Sequence, residues 1–91
     1  MKIEASTKEG KRYKATFESN GRTVHFGSKN GSTYIDHKDK AKRAAYLSRH
    51  KVNEDWTDPY SPGALSRFLL WGDSTTLAAN HAAYMKKFPN V

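Results

Sequence analysis

The sequence predicts an α+β domain: an N-terminal antiparallel β-hairpin or small meander followed by three short α-helices. Three observations predict it. Apolar and polar residues alternate with a period of two over residues 12–17 and 23–26. After Asp36 the apolar spacing becomes helical. Between these segments fall Gly, Pro, Asn and Ser, the residues that turns require. At 91 residues the chain is expected to form one domain over 1–91, mainly β over 1–35 and mainly α over 36–91.

In the first strong strand, Tyr13, Ala15 and Phe17 share one face and Arg12, Lys14 and Thr16 the other. Asn20-Gly21 follows as a hairpin signal, because both residues tolerate positive φ. The return strand sets Val24 and Phe26 opposite Thr23 and His25. Lys2-Ile3-Glu4-Ala5 adds an edge strand ahead of the polar turn Lys8-Glu9-Gly10-Lys11. Lys29-Asn30-Gly31-Ser32 is a further turn, and Thr33-Tyr34-Ile35 a short extended piece.

Asp36 then reads as an N-cap, with Asp39 three residues on completing an acidic variant of the capping box. The helix that follows, from Lys38 to about His50, is expected to bury Ala41, Ala44, Ala45 and Leu47. Lys38, Lys42 and Arg49 form its basic outer stripe. Residues 53–60 make an acidic loop that carries Trp56 and Tyr60. Ser61-Pro62 is a helix start, since serine caps exposed N–H groups and proline at the first position gives up no needed donor. This second helix runs Gly63 to Trp71, with Gly72 as a left-handed C-cap. The third begins at Asp73 or Ser74, aligns Leu77, His81, Tyr84, Met85 and Phe88, and stops at Pro89. The expected core is Phe17, Val24, Phe26, Leu47, Leu65, Phe68, Leu69, Leu77, Tyr84 and Phe88.

Composition removes several chemistries. With no cysteine, there can be no disulfide, zinc-thiolate, iron–sulfur or thiol chemistry. No apolar run approaches the ~18 residues of a membrane span, and Met1-Lys2-Ile3-Glu4 does not begin a secretory signal. His25, His37, His50 and His81 include no pair at i,i+4, and HExxH is absent. Asp36 and Asp39 are explained as caps. Glu54, Asp55 and Asp58 lack the ligand alternation of a calcium loop. There is no nucleophile elbow and no glycine-rich phosphate loop with its lysine. The expectation is a protein that is not an enzyme and takes no cofactor or metal.

Charge points to a partner instead. Residues 1–51 hold 13 of the 16 Lys and Arg against 5 acids, whereas residues 52–91 hold 3 against 4. An anionic partner would be steered to the first half. Two surfaces are candidates. For a protein contact, Arg12, Arg22, Trp56, Tyr60 and Arg67 are the residue types that become interface anchors; Trp56 is equally suited to closing a small core. For nucleic acid, Lys11, Arg12, Lys14, Arg22, Lys38, Lys42 and Arg49 could meet phosphates, with His25, Tyr34 and Tyr46 available to stack on bases. Lysine exceeds arginine 11 to 5, which suits long-range attraction more than bidentate base reading.

Four runs carry a resemblance: Val24-His25-Phe26-Gly27; Asp36-His37-Lys38-Asp39 with Tyr46-Leu47-Ser48-Arg49-His50-Lys51; Asn53-Glu54-Asp55-Trp56-Thr57-Asp58-Pro59; and Gly63-Ala64-Leu65-Ser66-Arg67-Phe68-Leu69-Leu70-Trp71. Together they span roughly residues 11–88. The chain resembles a family of small, basic, uncharacterised proteins encoded by giant and other large DNA viruses of algae and amoebae. The resemblance implies no reaction. It implies a virion-associated structural protein touching larger capsid or core proteins, or alternatively a sequence-non-specific binder of viral DNA. The implied locations are the virion and the cytoplasm or viral factory of the infected cell.

Overall fold

A computed structural model describes residues 1–91. The fold is α+β: an antiparallel three-stranded sheet followed by short helices. Strand β1 is Lys2–Ala5, β2 is Lys11–Thr16 and β3 is Thr23–Ser28, in the sheet order β1-β2-β3. Ala15 of β2 sits between Ile3 and Val24, and Tyr13 between Ala5 and Phe26. The inner face is therefore apolar across all three strands. One row along, Lys14 lies between Glu4 and His25, so the outer face is polar. The period-two alternation fixed this arrangement, because a slip of one residue would turn the apolar set to water.

The hairpin closes through a longer loop than Asn20-Gly21 alone suggests. Phe17 accepts from the N–H of Gly21 and donates its own N–H to Arg22. Only Gly21 takes positive φ, at 69°; Asn20 instead accepts the Arg22 N–H through its side chain, at 2.9 Å.

Of residues 33–35 only Thr33 is extended. Tyr34–His37 form one helical turn, α1, with Thr33 as its N-cap. Asp36 is therefore the third residue of a helix rather than a cap, and its carboxylate accepts both the Thr33 N–H and the Thr33 hydroxyl at 2.8 Å. Lys38 follows in the left-handed region (φ 59°), outside any helix. Asp39 then caps α2, Lys40–His50, by accepting the N–H groups of Ala41 and Lys42. The capping chemistry was legible, but displaced by three residues.

Helix α2 also turns the opposite side inward from the one expected. Ala41, Ala44 and Ala45 are exposed, while Arg43, Tyr46, Leu47 and His50 face the body. Arg43 ties the helix down: its Nε donates to the carbonyls of Trp71 (3.2 Å) and Gly72 (3.0 Å), and its Nη2 meets Asp73 at 2.7 Å.

Helix α3, Pro62–Leu65, starts at the serine cap as expected, the Ser61 hydroxyl accepting from Ala64 N–H. It continues into a π-helical turn, Ser66–Leu70, closed by Trp71 N–H donating to Ser66. Leu69, Leu70 and Trp71 are buried in succession, more than one α-helical stripe could bury. Gly72 is not a left-handed cap, since its φ is not positive. Glycine is required there by close approach: a Cβ would fall 2.3 Å from the Phe68 carbonyl oxygen and 2.6 Å from Asn80 Oδ1.

Helix α4, Leu77–Lys87, begins after Thr76, not at Asp73 or Ser74. The reason is Asn80, 3% exposed, whose amide donates to Leu69 and Ser74 carbonyls while its oxygen accepts Ser74 N–H. Residues 73–75 are thereby held as a loop. No helix is long and apolar enough to cross a membrane.

The core contains Phe17, Val24, Phe26, Leu65, Leu69 and Tyr84, as expected, and adds Ala15, Tyr34, Tyr46, Leu70 and Trp71. Leu47, Phe68, Leu77 and Phe88 pack at its margin, half-buried.

Candidate functional site

The five residues suited to a protein contact are each engaged within the fold. Arg12 forms a bidentate pair with Asp36, at 2.6 and 2.7 Å, and reaches Thr33 Oγ1 at 3.4 Å. Arg22 lies over the Tyr60 ring, 5.7 Å from its centroid. Tyr60 in turn meets Phe17 edge-on at 4.7 Å, and its hydroxyl shares a hydrogen bond with Ser19 at 3.0 Å. Trp56 donates its indole N–H to Glu54 at 2.9 Å and lies under Arg67, whose guanidinium is 5.2 Å from the ring. Arg67 also donates to the Trp71 carbonyl at 3.1 Å. Both loop aromatics thus turn back onto the body, half-buried.

Of the nucleic-acid candidates, Lys38, Lys42 and Arg49 are exposed. Lys38 does not belong to their helix, so the three do not form one helical stripe. Lys14 stands half-buried on the outer sheet face, and Lys11 faces a cleft described below. Tyr34 (5% exposed) and Tyr46 (8%) are core residues and offer no free face to a base. His25 is bonded to Ser6, 2.6 Å from the hydroxyl. The acidic loop does not converge either: Glu54 turns to His50 and Trp56, Asp55 to Thr57, and Asp58 to the Tyr60 N–H.

The Arg12–Asp36 pair links β2 to α1, and it makes stability depend on pH. The Arg12 guanidinium, and then the Thr33 hydrogen bonds, hold the Asp36 carboxyl well below the usual carboxylate range. Below about pH 4 the unfolded chain therefore binds a proton that the folded chain refuses. The pair's contribution is complete above the unfolded value of about 4 and is lost as pH falls toward the lower folded value. Thermal melts across that acid window should show less loss for Asp36→Asn than for the parent. Equal slopes would show that the pair carries no pH dependence.

A cleft of about 360 Å³ lies between the end of β3, the C-terminal end of α2 and α3. One wall is aromatic. Trp71 stacks on Tyr46 at 4.1 Å, nearly parallel (3°), and Tyr46 stacks on His50 at 4.1 Å. His37 also meets Trp71, edge-on at 5.3 Å. Burial, and then the nearby Glu54 carboxylate, push the Tyr46 hydroxyl up to about 12, so it stays protonated. Glu54 lies 3.2 Å from His50 Nδ1. The facing wall is Lys11 with the 27–33 segment, where Lys11 and Ser28 are register partners. Gly27 shapes that wall: its φ is 78°, and a Cβ would fall 2.8 Å from Leu70. Sequence reasoning missed this site because its walls come from segments far apart in the chain, residues 11–33 and 46–71. The one local signal was His50 and Glu54 at i,i+4.

A family model described as a family of unknown function (DUF5754) matches residues 1–50, more than half of the chain. The chain belongs to that family. The matched DUF5754 segment covers the sheet, α1 and α2, and so includes the Arg12–Asp36 pair, Tyr46 and His50. Glu54, Ser66 and Trp71, which complete the cleft, lie beyond it. No curated protein and no solved structure matches the chain.

Proposed function

We propose that this protein is a non-enzymatic, virion-associated structural protein that contacts larger capsid or core proteins, and that it docks through the outer face of α2. The observation that carries the reading is the uncovered alanine side of that helix. Ala41, Ala44, Ala45 and Ser48 are exposed at helical spacing, and Val52, just past the helix, is 75% exposed. Helices of globular proteins normally turn such a side inward, and here the inward side is already occupied. Alanines let a partner's backbone approach closely. Lys42 and Arg49 flank the strip on one side and Lys40 and Lys51 on the other, all exposed. The matching partner is a protein surface with a flat apolar centre and an acidic rim. The resemblance to proteins of large DNA viruses supplies an assembly for the protein to join, in the particle and in the cytoplasm or viral factory.

Ala44→Glu keeps a good helix former but puts a charge in the centre of the strip. It should leave the melting temperature unchanged and weaken retention on purified shells about tenfold, or about 1.4 kcal/mol. Recovery of the parent protein only with the genome core would overturn the proposal.

A second reading, sequence-non-specific nucleic-acid binding, is favoured by a different observation. Of the 16 Lys and Arg, only Lys2, Arg12 and Arg43 lie within 4 Å of a carboxylate. Most of the remainder, among them Lys38, Lys40, Lys42, Arg49 and Lys51, are exposed and free to displace counterions from a polyanion. Duplex DNA affinity that falls steeply with salt, and that Lys38→Glu and Arg49→Glu weaken, would support this reading over docking.

A further inference from the structure

The cleft beneath α2 carries a separate inference, independent of the docking reading because it lies on the helix's opposite side. Lys11 and Glu54 both line it, yet they are not within ion-pair distance of each other. A cation and a carboxylate are therefore held apart across about 360 Å³. Around Lys11, the Ser28 and Ser32 hydroxyls make no hydrogen bond within the chain and are not sealed from the cleft. On the other wall, Tyr46 is 92% buried by its neighbours (8% exposed), and its hydroxyl likewise has no partner in the chain. The ring is packed, but the hydroxyl is not sealed from solvent, so it can bond to what enters the cleft.

These groups select a ligand chemistry. An apolar ligand would strand Lys11 and the hydroxyls without partners, a costly arrangement. An inorganic anion would satisfy the Lys11 end and leave most of the volume, with Glu54 and His50, unused. The fit is to a molecule with a compact anion at one end and a hydroxyl- or amino-bearing body at the other. We propose that the cleft binds a phosphate monoester of mononucleotide size, its phosphate held by Lys11, Ser28 and Ser32 and its body reaching the Tyr46 hydroxyl, His50 and Glu54. Lysine is a suitable point charge for phosphate, and serine hydroxyls complete the donors. The body would donate to the Glu54 carboxylate, whose Oε2 is already near His50 and whose Oε1 accepts from Trp56.

The test is a titration of the full chain, followed by amide NMR shifts, with adenosine monophosphate, adenosine and inorganic phosphate as separate probes. The monophosphate should saturate, moving amides of residues 28–32 and those near Tyr46, and should bind more tightly than either fragment. Lys11→Gln and Tyr46→Phe should each weaken it about tenfold; the phenylalanine keeps the stack on Trp71 while removing only the hydroxyl. Melting curves confirm that both variants are folded. Absence of saturable binding overturns the proposal, as does adenosine or inorganic phosphate binding as tightly as the monophosphate. Shifts spread equally over Lys38, Lys42 and Arg49 would also overturn it, assigning the effect to surface charge.

Discussion

Phe26→Ala should lower the unfolding free energy by about 3–5 kcal/mol, through lost transfer energy and the cavity left behind. Phe26 is fully buried (0% exposed) on the inner face of β3. Its ring lies 5.9 Å from that of Tyr13, its register partner across the hairpin. In a domain of this size such a loss is a large share of the total. Urea denaturation measures it, with an unchanged m-value showing that the native and denatured surfaces are otherwise the same. Phe68→Ala is the internal comparison. Phe68 is half-buried, its ring centroid 6.1 Å from those of Tyr84 and Phe88, while Arg67 and Lys87 lie over its ring. It should cost clearly less than Phe26→Ala, and the reverse order would displace the core from the sheet to the α3–α4 seam.

Asn80→Ala should cost about 2–4 kcal/mol without removing any large apolar group, because it strips partners from several backbone groups at once. The Asn80 amide holds Leu69 and Ser74 carbonyls at 3.0 and 2.9 Å and accepts Ser74 N–H at 3.0 Å. Asn80→Asp separates the hydrogen bonds from the packing. A carboxylate keeps the acceptor but sets negative charge against two carbonyl oxygens, whereas its protonated form can restore one donor. Asn80→Asp should therefore be destabilised most at neutral pH and recover as pH falls. Thermal melts at neutral and acid pH decide it; a loss independent of pH would mean that Asn80 acts through shape alone.

The Asn80 clamp also marks where sequence reading stops. Asn80 stands among alanines, with nothing local to distinguish a buried asparagine from a solvated one. Its role depends on the loop after the π-helical turn being brought against α4. The same holds for Gly72. Its position after an apolar helix suggests a left-handed cap, yet what requires glycine is a carbonyl from Phe68 and a side chain from α4.

By itself the sequence determined the period of most elements and some of their ends: which face of each strand is apolar, that a serine and a proline begin α3, and that helices follow the sheet. These are properties of neighbouring residues, encoded by alternation, cap chemistry and turn residues, and they need no partner surface. Tertiary structure decided which side of α2 faces inward. Its two sides, one of alanines and one of Tyr46, Leu47, Arg43 and His50, compete as apolar and amphipathic surfaces. The second won because Trp71 offers a flat ring for Tyr46 and the carbonyls after it offer acceptors for Arg43. That choice uncovers the alanine strip and sets Tyr46, His50 and Glu54 opposite Lys11. Both candidate surfaces therefore arise from one long-range contact, between residues 25 positions apart, and only the folded chain could bring them together.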